Sequence, residues 1–407
     1  MYGAQLIEAL RRRADMTKPR STKQPGAAVS TLFFFGAGGE RMQAVGCEIV
    51  VDAKDLAVVG ISEIVSHLPR ILGLYKNLIR AADERRPDLA VVIDSPAFNW
   101  RVARQMRKRG IPVVYYVCPQ FWAWRQGRVK LLRKYVNKAL VIFPFEEKFY
   151  RERGVDATFV GHPLADLPAP TIAREDYARA YGLGLGKPWI TLMPGSRRKE
   201  VRMNLPAMVE AADRMGTTYE FLLPVARTLE RGFLTELIET ARRKSPPKES
   251  LDEAPGASRE RGRNAMRCVM ETAQIHLVPE ALPALHHSRA GIIASGTATV
   301  EAAIMGTPFV MVYRVSPLTY ALGKPRVKVA HYAMVNLIAG EEVVPELVQG
   351  KFTANNIVAE LGKIIPDGTE REKMLRGLGG VRARLKREDG GDHPADRAAE
   401  IILGMLV

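Results

Sequence analysis

Short, largely β-branched apolar runs alternate with helix-period stretches along almost the whole chain, and this alternation is what most restricts its fold. Such a rhythm predicts parallel sheets built from βαβ units, because parallel neighbours need a crossover and near-continuous apolar strands are buried on both faces. In the first half the predicted strands are Leu32–Phe35, Ala90–Ile93, Val113–Val117, Ala139–Phe143 and Thr158–Val160, with amphipathic stretches such as Ile61–Arg85 and Trp100–Arg109 between them. In the second half they are Trp189–Met193, Tyr219–Leu223, Ile275–Val278, Gly291–Ala294 and Phe309–Tyr313.

The 407 residues suit two domains. The rhythm breaks at Asp166–Lys187, where DLPAPTIARED interrupts it with prolines. The expected organisation is therefore two doubly wound, Rossmann-like halves, 1–166 and 187–365, with closing helices over 366–407. Ligands in such sheets bind outside the carboxyl ends of the strands, so two halves of this kind are expected to face each other across a cleft. A second irregular stretch, Lys244–Asn264, is polar and Pro-rich and reads as a surface insertion.

Composition narrows the function classes. The three cysteines, Cys47, Cys118 and Cys268, are too few and too scattered for a disulfide framework or a metal knuckle, and suit a reducing cytoplasm. No apolar run approaches the roughly 20 residues that span a bilayer. The net charge of +16 is uneven: residues 1–166 carry 27 Lys/Arg against 16 Asp/Glu, and Arg101–Lys138 holds eleven basic residues and no acidic one. A block of this kind favours a polyanion, whether nucleic acid, a phosphorylated substrate or an anionic lipid surface, although a solvated basic face would carry the same charge. No RNA-binding signature accompanies it, and no nucleic-acid partner is expected.

Two turns carry phosphate chemistry. WITLMPGSRR (Trp189–Arg198) is a buried strand followed by Gly195, which permits close backbone approach, Ser196, which can cap a helix, and Arg197, which offers a fork to phosphate. GIIASGTATVEAAIMGTP (Gly291–Pro308) again ends a strand, at Ser295-Gly296-Thr297, and starts a helix at once; Glu301, one turn in, could accept from a ribose diol or merely complement the helix dipole. Neither turn is a Walker A or a G-x-G-x-x-G, which points to a nucleotide other than ATP or NAD. Asp94, ending AVVID before Ser95-Pro96, fits either a general base at a strand end or an Asx-turn. No D-x-D pair or histidine ligand set occurs, so no metal and no cofactor are expected. In CPQFWAWRQGRVKLLR (Cys118–Arg133) the plain reading is a helix packed by its tryptophans with basic residues outward. Ile61–Arg80 is a candidate interfacial patch, or a helix buried in the core.

Taken together, VVIDSPAFN (Val91–Asn99), YYVCPQFWAWRQGRVK (Tyr115–Lys130), FVGHPLAD (Phe159–Asp166), MPGSRRKEV (Met193–Val201), ASGTATVEAAIMGTP (Ala294–Pro308) and NLIAGEEVVPELVQ (Asn336–Gln349) resemble the lipid-A-disaccharide synthase family, glycosyltransferase family 19. The resemblance implies a GT-B fold, UDP held by the C-terminal half and the acyl acceptor by the N-terminal half. The implied reaction joins UDP-2,3-diacylglucosamine to 2,3-diacylglucosamine 1-phosphate (lipid X) with inversion. By the same resemblance Asp94 is the base, Asn336 a second catalytic residue, Ser196, Arg197, Ser295, Gly296, Thr297 and Glu301 hold UDP, and Trp122, Trp124, Arg125 and Arg128 face the acyl acceptor. A peripheral position on an anionic membrane surface, at the cytoplasmic face of the inner membrane, and a possible homodimer are also implied. The family pattern opens with a strand and a G-E-x-S-G-D loop ahead of the helix matched by Met1–Leu10, so the N-terminal domain is expected to lack that strand and loop. Ala97 departs from the family too, which often has a second aspartate there.

Overall fold

The twelve strands described below are all parallel, and the inner strands of the two larger sheets are the most deeply buried. The computed structural model describes residues 2–16, 32–56, 61–244, 272–327, 329–387 and 393–406. Nearly all of the Lys244–Asn264 insertion, and Cys268, lie outside the described residues. The chain divides into two units: Met1–Asp166 with Arg326–Lys328 and Arg384–Val407, and Leu167–Pro325 with Val329–Ala383. The expected closing helices are thus shared out. Helix Thr369–Leu385 lies almost wholly in the second unit, while helix Pro394–Leu403 belongs to the first and packs on helix Tyr2–Met16. The latter helix turns an apolar stripe inward through Ala4, Leu6, Ile7, Ala9 and Leu10.

In the first unit β1 (Phe34–Gly38) pairs with β2 (Cys47–Asp52) as a two-stranded sheet. A separate four-stranded sheet runs β3 (Ala90–Ile93), β4 (Val113–Tyr116), β5 (Lys138–Val141) and β6 (Ala157–Phe159) in sequence order. All four residues of β4 are buried, and Val92, Ala103, Met106, Tyr115, Leu132 and Tyr150 share one core. Helix Ile61–Arg85 splits the two readings of its sequence: Tyr75, Leu78 and Ile79 pack on that core, whereas Leu72 is exposed.

The second unit holds six strands, β7 (Trp189–Met193), β8 (Glu220–Pro224), β9 (Gln274–Val278), β10 (Ala290–Ala294), β11 (Phe309–Tyr313) and β12 (Glu346–Val348), in the spatial order β12-β11-β10-β7-β8-β9. The chain builds outward from β7 to β9, then returns to lay β10 on the other side of β7, with Ile293 opposite Met193. That reversal is a topological switch point, and the crevice it opens lies at the carboxyl ends of β7 and β10. Both strands are anchored hard. Ile190, Leu192, Ile292 and Ile293 are fully buried, each contributing about 2 kcal/mol of burial. No described helix is long and apolar enough to cross a membrane.

Candidate active site

At the end of β7, Gly195 sits at φ +118°, and a Cβ there would come within 2.8 Å of Glu200 Oε2. Only glycine takes that backbone without strain. Asn204, 3% exposed, donates its Nδ2 to the Pro194 carbonyl at 2.9 Å, and the Thr228 hydroxyl donates to the Ser196 carbonyl at 2.5 Å, so the turn is pinned from two sides. The expected Ser196 cap is not made. Helix Arg198–Met215 starts one residue later than a serine cap requires, with Arg197 at the N-cap in extended geometry and no side chain closing the first turn. The opening amides keep their dipole toward whatever occupies the crevice. Arg197 is exposed and pairs with Glu200 Oε1 at 2.6 Å.

At the end of β10, Gly296 at φ +142° precedes helix Thr297–Met305, and Thr297 is exposed at its first position. Ser295 spends its proton on the Tyr332 carbonyl at 2.8 Å, which ties the turn down and leaves its oxygen only as an acceptor. Thr299 folds its hydroxyl back onto the Gly296 carbonyl at 2.8 Å. Glu301 is half-buried, has no hydrogen-bond or ion-pair partner among the described residues, and burial pushes its carboxyl up. An unpartnered acceptor one turn into the helix suits a diol. The SGT and PGSR turns are thereby brought to adjacent strand ends.

Asn336 needs correction. It is fully buried and all four of its amide hydrogen-bonding positions are taken: Nδ2 donates to the Val344 carbonyl and Glu346 Oε1, both at 2.9 Å, and Oδ1 accepts from the Val343 and Val344 amides at 2.9 and 3.0 Å. A side chain so committed has nothing left for a substrate, and its role is to brace the loop. Glu346, which the sequence did not single out because its strand is only three residues long, is the centre of that brace. It accepts from the Tyr332 and Ala333 amides as well as from Asn336. Tyr332 in turn carries the carbonyl that holds Ser295.

In the first unit β3 delivers Asp94 and Ser95 at φ +48° and +44°, both left-handed and neither glycine, before Pro96 opens helix Pro96–Lys108. On the neighbouring strand, where Ile93 faces Tyr116, Val117 is also at positive φ, +57°. Backbone of this kind costs about 1–3 kcal/mol per residue and persists only where the surroundings enforce it. The enforcing bonds are visible. The Asp94 carbonyl accepts the Tyr115 hydroxyl and Asn99 Nδ2, each at 2.7 Å, and Asn99 Nδ2 also reaches the Ile93 carbonyl at 2.8 Å. The Asp94 side chain is exposed and takes no hydrogen bond among the described residues, so no Asx-turn forms.

The aromatic-basic segment divides. Trp122 is 6% exposed and its indole Nε1–H donates to buried Glu146 at 2.8 Å, which corrects the expectation that it faces an acceptor. Trp124 is 47% exposed with the Arg125 guanidinium 3.9 Å from its ring centroid, and Arg128 is exposed. On a one-turn helix, residues two apart point to opposite sides. No cluster of three His, Cys, Asp or Glu side chains able to hold a metal occurs among the described residues.

Comparison with known proteins adds an independent line. A family model described as lipid-A-disaccharide synthetase matches residues 2–267 and 260–384. A lipid-A-disaccharide synthase of Koribacter versatilis is 46% identical over 405 residues, covering 100% of this chain and 95% of its own. One from Acidobacterium capsulatum is 47% identical over 94% and 88%, and one from Myxococcus xanthus 40% identical over 100% and 94%. Among solved structures, the calicheamicin glycosyltransferase is similar with a TM-score of 0.54 at 17% identity, covering 99% of this chain and 94% of its own. A UDP-GlcNAc 2-epimerase from Neisseria meningitidis scores 0.54 at 12% identity, covering 99% and 95%. These structures share the GT-B fold with this chain.

Proposed function

This chain belongs to the lipid-A-disaccharide synthase family and is a glycosyltransferase of lipid A biosynthesis, and we propose that it joins UDP-2,3-diacylglucosamine to 2,3-diacylglucosamine 1-phosphate with release of UDP. The second unit holds the nucleotide. Gly195 and Gly296 let the diphosphate approach backbone at the switch point, the uncapped amides before Arg198 and the Arg197 guanidinium meet its charge, and Glu301 accepts from the ribose. The first unit supplies the acceptor side, with Asp94 as the general base. Its carboxylate takes the proton from the acceptor 6-hydroxyl as that oxygen attacks the anomeric carbon and the bond to UDP breaks on the opposite face. One base and a stabilised leaving group are sufficient for inversion.

The observation that carries this reading is that the chain holds, within its first unit, an exposed, unpartnered carboxylate on an enforced left-handed elbow and, within its second, two glycine turns at a switch point. Both substrates are anionic and acylated, which suits exposed Arg101, Arg104, Arg128, Arg133 and Lys134 together with Trp124. The same groups support a peripheral position on an anionic membrane face.

The test is an assay of the full chain with both lipid substrates in detergent, reading the tetraacyl disaccharide 1-phosphate by mass spectrometry. Arg197→Ala should weaken UDP about tenfold or more, as expected for loss of a charged hydrogen-bonding partner. No product from the parent chain would refute the proposal, and unchanged UDP affinity in Arg197→Ala would refute the placement of the diphosphate.

A further inference from the structure

Under the aromatic-basic surface lies a carboxylate that the proposed chemistry does not use. Glu146 is 1% exposed in the first turn of helix Pro144–Arg151. Its Oε2 accepts from the Ile142 and Phe143 amides at 3.3 and 3.1 Å, which is the ordinary work of a glutamate closing a helix start. Closing a helix start does not require burial, yet this one is buried and gives its other oxygen to the Trp122 indole at 2.8 Å. Burial pushes its carboxyl up to about 7. The groups that face it, the Cys118 thiol and the Tyr150 hydroxyl, are themselves held protonated by burial and offer no countercharge. A desolvated acid without an ion pair is a costly way to cap a helix, so the bond to Trp122 calls for its own explanation.

Trp122 is seated by that bond, by an edge-to-face contact with Phe145 at 4.9 Å, and by Gln126 Nε2 donating to its carbonyl at 3.0 Å. Tyr150, from the same helix as Glu146, donates to the Pro119 carbonyl just ahead. Helix Phe121–Trp124 is a single turn. The rotation that seats Trp122 therefore also sets where Trp124 points, and with it the Arg125 guanidinium stacked on its ring.

We propose that Glu146 is a positioning residue for the lipid acceptor: by seating Trp122 it aims Trp124, Arg125 and Arg128 at the acylated substrate. The proposal rests on the reading that this surface faces the acceptor. It requires Glu146 and Trp122 to act as one unit, distinct from the nucleotide site.

The experiment measures acceptor KM, kcat and UDP affinity for Glu146→Gln, Trp122→Phe, their double variant and Trp124→Ala, with iodide quenching of tryptophan fluorescence alongside. Trp122→Phe removes the indole N–H together with the five-membered ring and leaves Glu146 in place, so it carries the test should the Glu146 variant fail to fold. The expected result is a rise in acceptor KM of about tenfold in either single variant, as for loss of a charge-assisted hydrogen bond, and no further rise in the double variant. UDP affinity and kcat should stay within about twofold, and iodide access should change in parallel. A uniform loss of KM, kcat and UDP affinity, or an unchanged acceptor KM, would reduce Glu146 to a helix cap and overturn the proposal. An unchanged acceptor KM in Trp124→Ala would instead show that the surface reading beneath it is wrong.

Discussion

Both units run a strand into a helix through backbone at positive φ, but they do so with different residues. The second unit uses Gly195 at +118° and Gly296 at +142°, values no side chain tolerates well. The first uses Asp94, Ser95 and Val117 at +44° to +57°, inside the left-handed basin that an L-residue can enter at a cost. On the proposed function, the side chain is dispensed with where a ligand is to touch main chain, and kept where it is to do chemistry, with the strain at Asp94 held by Tyr115 and Asn99. The difference would then separate a binding turn from a reacting elbow.

The strongest way to break that contrast is at the elbow. Asp94→Ala should lower kcat by roughly 10²–10⁴-fold, the usual worth of a positioned base, with UDP affinity within about twofold of the parent. Asp94→Gly should be equally inactive yet melt higher, because glycine relieves the left-handed strain; a lower melting temperature would show that the elbow is unstrained. Next in size is the brace behind the SGT turn. Asn336→Ala removes four buried hydrogen bonds and should cost about 2–4 kcal/mol in denaturant unfolding. Wild-type stability paired with a collapse in kcat would restore Asn336 to the chemistry.

At the binding turn the reciprocal change is Gly195→Ala. Calorimetric titration should show UDP affinity falling about tenfold, through backbone strain and through crowding against the Glu200 Cβ at 3.0 Å, which cannot swing aside as its carboxylate can. The smallest effect is a slope with pH. Burial raises the Glu146 carboxyl from 4.5 to about 7, so the folded chain holds a proton there that the unfolded chain has released. That contribution is complete below pH 4.5 and lost as pH rises through about 7. Stability should therefore decline by about 1 kcal/mol between pH 6 and 7 from this group, a decline that Glu146→Gln should flatten in urea titrations.

Ten of the twelve strands were legible as apolar runs, buried almost throughout in β4, β7, β8, β10 and β11 and mostly half-buried in β1, β3 and β9. β2 and β12 were not. β12 is three residues long and opens on a half-buried glutamate, which reads as loop, and CEIVVD has polar ends that shorten its signal. The two glycine turns could be read from spacing alone, since glycine announces its own φ. The Asp94 elbow could be placed at a strand end but its left-handed backbone could not, because nothing local demands it; Tyr115 and Asn99 impose it from elsewhere. Asn336 and Trp122 were misjudged for a related reason. A sequence shows that an amide or indole is present, but the partner that consumes its hydrogen bonds comes only with tertiary packing, Val343, Val344 and Glu346 for the first, Glu146 for the second.

The return of β10 to the flank of β7 has a consequence for how the enzyme comes into being. Ala290 pairs with Ile190, so the two halves of the proposed nucleotide crevice are translated a hundred residues apart. On the ribosome β7, β8 and β9 emerge first and carry only the PGSR turn. Nothing that grips a nucleotide from both sides exists until the later strand slots in, and non-local pairings of that kind form late. UDP would then act as an inspector of assembly, rewarding only chains whose last insertion has succeeded, and nascent-chain protection by UDP should switch on as a step once β10 and its helix have cleared the exit tunnel.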